Sequence, residues 1–259
     1  MQPTHGIRIG VVTTGHGPRD EYVHYHGEFL RALGGNVQVV NRHIYEGLTV
    51  EQITPHQVGK EAANIGAHVH VPGATGNQMG DGWEHRFYAL PFAMRHVQGA
   101  IDLLEQEDGV KLIILACAAE MPTEALRSNV PLIHPRELLF GLAETLAHGS
   151  SRRLRMGVIV DAEHAEHDRA DWERRSWFDR IELVVAPITR SVADAAAELG
   201  RQGVDYAFYF GYGVGLAPRN APDMIARLEA AAAAPLILPH RVTTLFVRNL
   251  VPPALDDNR

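Results

Sequence analysis

Residues 109–122 read GVKLIILACAAEMP. Leu112 to Ala116 are apolar without interruption and Val110 flanks them, the pattern of a short strand buried on both faces. Strands of that kind belong to parallel sheets covered by helices. The run ends at Cys117, the only cysteine in the chain. In open parallel sheets ligands bind where loops leave the carboxyl ends of the strands, so this strand carries the thiol to the place where chemistry is expected. A lone thiol is also commonly a small core residue, and that reading stays open at this point.

Working outward, residues 7–14 (IRIGVVTT) form a second apolar run, ending in Thr13-Thr14-Gly15-His16-Gly17-Pro18-Arg19. A helical stretch follows to Leu33, with Gly34-Gly35 as its stop. Strand, glycine-bearing loop and helix present backbone N–H groups to an anion such as a carboxylate or phosphate. No Gly-Lys-Ser/Thr follows, so it is not a nucleotide-binding P-loop. Residues 66–91 differ in texture: glycines alternate with His68, His70, Trp83, His85, Arg86 and Tyr88, which reads as a long lid or binding loop. Beyond 148–153, a small polar stretch that suits a boundary, strands and helices alternate to the end. That alternation predicts parallel sheets with helices on both faces.

Composition narrows the function classes. The 259 residues are 46% hydrophobic and 21% charged, long enough to bury a sizeable core. A net charge of -7 lacks the basic footprint of a nucleic-acid or anionic-membrane binder. No apolar run reaches membrane-span length and the first ten residues carry no secretory pattern. One cysteine cannot form an internal disulfide. The expectation is a cytoplasmic protein with a small anionic substrate, no nucleic-acid or membrane partner, and a homodimer as the default assembly.

An internal repeat sharpens the fold. IRIGVV from Ile7 matches LRMGVI from Leu154, GVKLIILAC from Gly109 matches GVDYAFYFG from Gly203, and PLIHP from Pro131 matches PLILP from Pro235. Three matches in one order predict two similar three-layer α/β lobes with parallel sheets related by a pseudo-two-fold. They span residues 1–148 and 149–259, with the site in the cleft between them and the closing helix free to pack back on the first lobe. The repeat places Gly211 at the position of Cys117, so the two lobes are not chemically equivalent.

The segments TTGHGPR, ACAAEMP and FGYG followed by APLILPHRV resemble the AroM family of the aspartate/glutamate racemase superfamily. That resemblance implies two α/β lobes and cofactor-free chemistry in which a cysteine from each lobe handles the proton alpha to a carboxylate. Cys117 stands where the first cysteine falls and Gly211 where the second does. Two-thiol racemisation therefore does not carry over.

The residues on their own fit that asymmetry. A thiol is a poor base until a helix N-terminus or cation lowers its pKa, and the turn Ala118-Ala119-Glu120 offers N–H groups. Thr13, Thr14, the backbone of Gly15, His16 and Arg19 would hold the anionic group, with Gly211 and Gly213 lining the second lobe's part. One thiol suits racemisation only if Tyr212, His134 or His240 takes a second role; otherwise it suits decarboxylation, elimination or covalent addition. The expectation is a cofactor-independent isomerase or lyase. Two alternatives stand beside it: a metal-dependent hydrolase or lyase, since His68 and His70 share one face of an extended segment, and a non-catalytic two-lobed small-molecule binding protein.

Overall fold

Ile7–Thr13 forms the first strand, β1, and Gly10 in it explains the packing above it. A Cβ added to Gly10 would lie 2.8 Å from Leu104 Cδ1 and 3.3 Å from Ile113 Cγ1, so the missing side chain is the seat of a helix leucine. In the computed structural model, which describes residues 6–59, 63–77, 79–217 and 223–251, β1 pairs in parallel with β2 (Val37–His43) and with β5 (Leu112–Leu115). β5 in turn pairs with β6 (Leu132–Ile133), giving the order β2-β1-β5-β6. All four residues of β5 are buried, as its unbroken apolar run requires.

Two longer helices accompany this sheet. α1 (Asp20–Ala32) buries Tyr22, His26, Gly27 and Leu30, places Asp20 and Glu21 in its first turn, where the helix dipole favours them, and stops at Gly34. That glycine, at φ +78°, donates to the Arg31 carbonyl, and Gly35 donates to Leu30. α3 (Leu90–Gln106) starts with a proline in its first turn and buries Phe92, Val97, Ile101 and Leu104 in a core shared with Val12, Ile113 and Leu115.

The segment read as a lid loop is instead a hairpin. β3 (Asn64–His70) and β4 (Trp83–Ala89) pair antiparallel, His68 opposite His85 and His70 opposite Trp83. The physical reason lies in β3's period of two: Ile65, Ala67 and Val69 are buried and join the core around α3, while Gly66, His68 and His70 take the other face. The short helix α2 (Val50–Ile53), closed by a Thr49/Gln52 capping box, precedes it.

The second unit repeats the first sheet. β7 (Leu154–Asp161) pairs in parallel with β8 (Ile181–Ile188) and β9 (Tyr206–Tyr209), and β9 pairs with β10 (Leu236–Ile237), giving β8-β7-β9-β10. Both faces of β7 are covered. Met156, Val158 and Val160 pack with Phe140 of α4 (Pro135–Gly149) and Trp172 of α5 (Ala165–Glu173). Ile159 packs with Leu199 of α6 (Val192–Gln202) and Leu228 of α7 (Met224–Ala232). The sequence reads residues 218–233 as one helix, and positions 218–222 of that stretch lie outside the described residues.

The segments matched in the sequence hold corresponding register positions in the two sheets. Ile9 pairs with Leu112 as Met156 pairs with Tyr206, and Ile113 with Leu132 as Ala207 with Leu236. Arg8 reaches Gln38 and the Asp108 carbonyl; its counterpart Arg155 reaches Glu182 and the Gln202 carbonyl. Gly157 matches Gly10, with an added Cβ 2.8 Å from Leu199 Cδ1.

The compact units are Met1–Pro135 with Leu216–Arg219 and Thr243–Arg259, and Arg136–Gly215 with Asn220–Val242. The last helix, α8 (Pro239–Leu250), supplies residues to both. From Thr243 onward it belongs with the first, where Thr244 Oγ1 lies 2.8 Å from His26 Nδ1 and Arg248 donates to the Leu33 carbonyl. Among the described residues no helix is long and apolar enough to cross a membrane.

Candidate active site

β1 and β5 are neighbours, and their last shared contacts are the pair Val12–Leu115 and the bond from Ala116 N–H to the Val12 carbonyl. The next residues, Thr13-Thr14 on one strand and Cys117 on the other, therefore emerge side by side at the carboxyl end of the sheet. Cys117 is half-buried, and its N–H turns back to the Leu115 carbonyl at 2.7 Å. Ala118 and Met121 are buried and anchor the loop that follows, while Ala119 is half-buried and Glu120 exposed. His134, at the end of β6, lies with Nε2 3.2 Å from the Ala119 carbonyl. A carbonyl only accepts, so this ring carries its proton on Nε2 and pins the loop.

The loop after β1 is tied down by its own polar groups. The Thr13 hydroxyl hydrogen-bonds His43 Nδ1 at 2.7 Å, and burial holds His43 below the ordinary imidazole range. Gly15 sits at φ +118°, and a Cβ there would lie 2.0 Å from the His68 carbonyl, a conformation and an approach that only glycine allows. His16 N–H donates to that carbonyl, and His16 Nδ1 accepts from the His70 N–H at 3.0 Å. Burial, then the neighbouring His70, lowers the His16 pKa, so the ring is a neutral brace between loop and hairpin. Thr14 is half-buried and carries no such tie among the bonds described.

Arg19, 3% exposed, donates from Nε to Glu21 at 2.5 Å and from Nη2 to the Tyr22 hydroxyl at 2.6 Å. Its guanidinium also lies 4.5 Å from the centre of the Tyr22 ring. Burial raises the Tyr22 phenol to about 12; Glu21 and Cys117 push the same way and Arg19 opposes them. Tyr22 reads from sequence as one apolar position of a helix stripe, yet its hydroxyl shares an electrostatic neighbourhood with Cys117. His43, at the end of β2, is likewise not marked by the sequence as part of this neighbourhood. The period of the strand gives its side, but nothing in the sequence names Thr13 as its partner.

The corresponding strand end of the second unit is built differently. A Cβ added at Gly211 would meet Tyr209 Cζ at 2.6 Å and its hydroxyl oxygen at 2.8 Å. No thiol fits there while that ring stays. Tyr212 is 5% exposed, and its carbonyl accepts from His240 Nδ1 at 3.1 Å. His240 is fully buried, and burial takes its pKa down to about 4 against the opposing pull of that carbonyl. Tyr212 and His240 thus hold the turn 211–213, with Gly211 and Gly213 half-buried within it.

His68 and His70 do share a strand face, as their spacing requires. His68 lies 5.0 Å from the His85 ring and within 3.4 Å of the Asn77 amide, and burial lowers its pKa to about 3. His70 meets the Trp83 ring edge-on at 5.7 Å. Among the described residues no three His, Cys, Asp or Glu side chains converge as metal donors, so the metal alternative finds no donor set there.

The chain is similar in structure to the allantoin racemase from Klebsiella pneumoniae, at 14% identity and a TM-score of 0.53 over 94% of this chain and 87% of that one. It is also similar to the glutamate racemase from Aquifex pyrophilus, at 12% identity and a TM-score of 0.48 over 95% and 84%. The first likeness establishes a shared fold. No curated protein matches the chain. The family profile described as AroM protein matches residues 9–251, and the chain belongs to the AroM family.

Proposed function

We propose that this protein is a cofactor-independent isomerase or lyase acting at the carbon alpha to a carboxylate of a small molecule, with Cys117 as its single thiol acid/base. The observation that carries this reading is the place of the thiol. It is half-buried at the carboxyl end of β5, beside Thr13-Thr14, and its register counterpart Gly211 has no room for a second sulfur. The fold shared with a structure titled allantoin racemase supports it.

In the isomerase form, the Cys117 thiolate takes the alpha proton, an S–H bond forms, and the C–H electron pair spreads into the carboxylate. In the lyase form, carbon dioxide leaves without the C–C electron pair and the resulting carbanion takes the thiol proton. Both routes concentrate negative charge on oxygen, which hydrogen-bond donors stabilise when fixed in advance. Thr14 and the N–H groups of Gly15 and Ala119 are the donors proposed here, and Glu120 stands at the rim. Thr13, His16 and Arg19 act by holding the loop, through the Thr13 hydroxyl on His43, His16 Nδ1 on the His70 N–H, and Arg19 on Glu21 and Tyr22. His134 fixes the Cys117 loop and His240 the turn at Tyr212.

The test is solvent exchange. The protein is incubated in deuterium oxide with a panel of D- and L-α-amino, α-hydroxy and α-ureido acids and with substituted malonates, and alpha deuterium is read by NMR. Incorporation into at least one compound is expected. It should fall by at least about a hundredfold in Cys117→Ser, the usual scale of general acid–base catalysis. Full incorporation by Cys117→Ser would refute thiol catalysis.

A further inference from the structure

We propose that the His68 imidazole is a catalytic residue of this site, donating its Nε2 hydrogen to the substrate oxygen that gains charge when Cys117 takes the alpha proton. The inference rests on the reading of Cys117 above and goes beyond it, and every residue it uses belongs to the first compact unit. The sequence offers His68 as a metal donor, and the hairpin gives it a different setting.

His68 and Cys117 flank one backbone edge. Successive residues of a strand turn their peptide groups to opposite sides. On the β2 side of β1 and its loop, the carbonyls of Thr13 and Gly15 accept from Ile44 and Tyr45. On the β5 side, the Val12 carbonyl accepts from Ala116, the residue before Cys117, and the His16 N–H donates to the His68 carbonyl. Gly15 and His68 form a parallel bridge, so β3 takes up the edge that β5 leaves as it turns away at Cys117. Thr14 sits between the two. Val12 to His16 span at most about 14 Å of chain, within reach of a small substrate.

Arg19 joins the two residues by charge. It acts on His68, its Nη2 donates to the Tyr22 hydroxyl at 2.6 Å, and Cys117 acts on Tyr22 in turn. His68, Arg19, Tyr22 and Cys117 thus share one neighbourhood at the carboxyl end of the sheet.

The ring is set as a donor. Asn77 Oδ1 accepts from the Met79 N–H at 2.8 Å, which fixes the amide so that its Nδ2 faces His68 Nδ1 at 3.4 Å. An amide nitrogen only donates, so Nδ1 accepts and the ring hydrogen sits on Nε2. His68 is half-buried, and its Nε2 has no hydrogen-bond partner among the described residues. Burial first, then His85 and Arg19, lower its pKa to about 3, so the ring is neutral at neutral pH. A neutral imidazole can polarise a carbonyl, and a donor fixed in advance costs no reorganisation as charge develops. His85 backs the ring at 5.0 Å, in space that Gly66 leaves: a Cβ there would lie 2.6 Å from His85 Nε2.

No bond to nitrogen forms or breaks in the step. The C–H bond breaks, an S–H bond forms at Cys117, and the electron pair moves onto the carboxylate oxygen. The Nε2 proton stays on nitrogen and is shared with that oxygen.

The experiment measures deuterium exchange in His68→Leu and His68→Gln on the panel compound that the wild-type protein exchanges, and iodoacetamide labelling of Cys117 in the same variants. His68→Leu should lose kcat by at least about a hundredfold, the scale of one lost oxyanion donor, with KM little changed, as for a contact made in the transition state. His68→Gln, whose amide N–H can stand near the place of Nε2, should recover part of that loss. Both variants should label at the wild-type rate, since the thiol itself is untouched. A smaller loss in His68→Leu, no recovery in His68→Gln, or altered labelling in either would each overturn the assignment. Wild-type protein that exchanges no panel compound, or exchange that persists in Cys117→Ser, would fail the underlying reading instead, and this one with it.

Discussion

A single hydrogen decides the packing at Gly10 and Gly157. Each has a helix leucine where a Cβ would go, Leu104 over one and Leu199 over the other, both at 2.8 Å. Gly10→Ala and Gly157→Ala should each destabilise by about 1–3 kcal/mol, the range for overpacking a filled core, as read by urea unfolding. Trimming the facing leucine, in Gly10→Ala/Leu104→Val, should recover part of the loss; a doubly destabilised, additive pair would contradict the packing account. The position of Cys117 at the end of β5 follows from the unbroken apolar run before it, the pattern of a strand buried on both faces. The place of Tyr209 was not legible in the sequence. The repeat identifies Gly211 as the odd position, but which neighbour fills the vacated space depends on side-chain length and direction, and two flanking aromatics, Tyr209 and Tyr212, read alike until one is seen to bend over the glycine and the other to bury.

Strand and helix positions in both units follow from hydrophobic period, and the one large departure has an instructive cause. In residues 64–70 the alternation Ile65, Ala67, Val69 against Gly66, His68, His70 is the period of a half-buried strand, but glycine and histidine content gave it the look of a loop. The hairpin stands because its backbone is also claimed from outside, by His16 and Gly15. Elements closed by buried neutral imidazoles carry a pH signature. His240 has a folded pKa of about 4 against an ordinary value of 6.5, so the unfolded chain binds more protons between those values. Its contribution to stability is complete above about pH 6.5 and is lost as pH falls towards 4. Lowering pH from 7.5 to 5 should cost about 2 kcal/mol through this group. Unfolding curves of His240→Gln should show a pH dependence shallower by that amount; an unchanged slope would mean that the ring is not held neutral at the Tyr212 turn.

For the whole molecule, two four-stranded parallel sheets share one strand order and one register, yet their corresponding ends carry a thiol in one unit and a glycine under a phenol in the other. The corresponding registers follow from strand-forming segments that keep their spacing in the sequence. The chemical divergence was readable only as a substitution at Gly211, because what takes over from a lost side chain is a matter of space. Because the chain has a single cysteine, iodoacetamide labelling interrogates Cys117 alone in the unmutated protein. Turnover of an exchanged panel compound, plotted against carboxamidomethylation at Cys117 measured by mass spectrometry, should fall linearly to zero at one label per chain, and that compound should slow the labelling. Undiminished turnover in fully labelled protein would contradict a thiol at the centre of the chemistry.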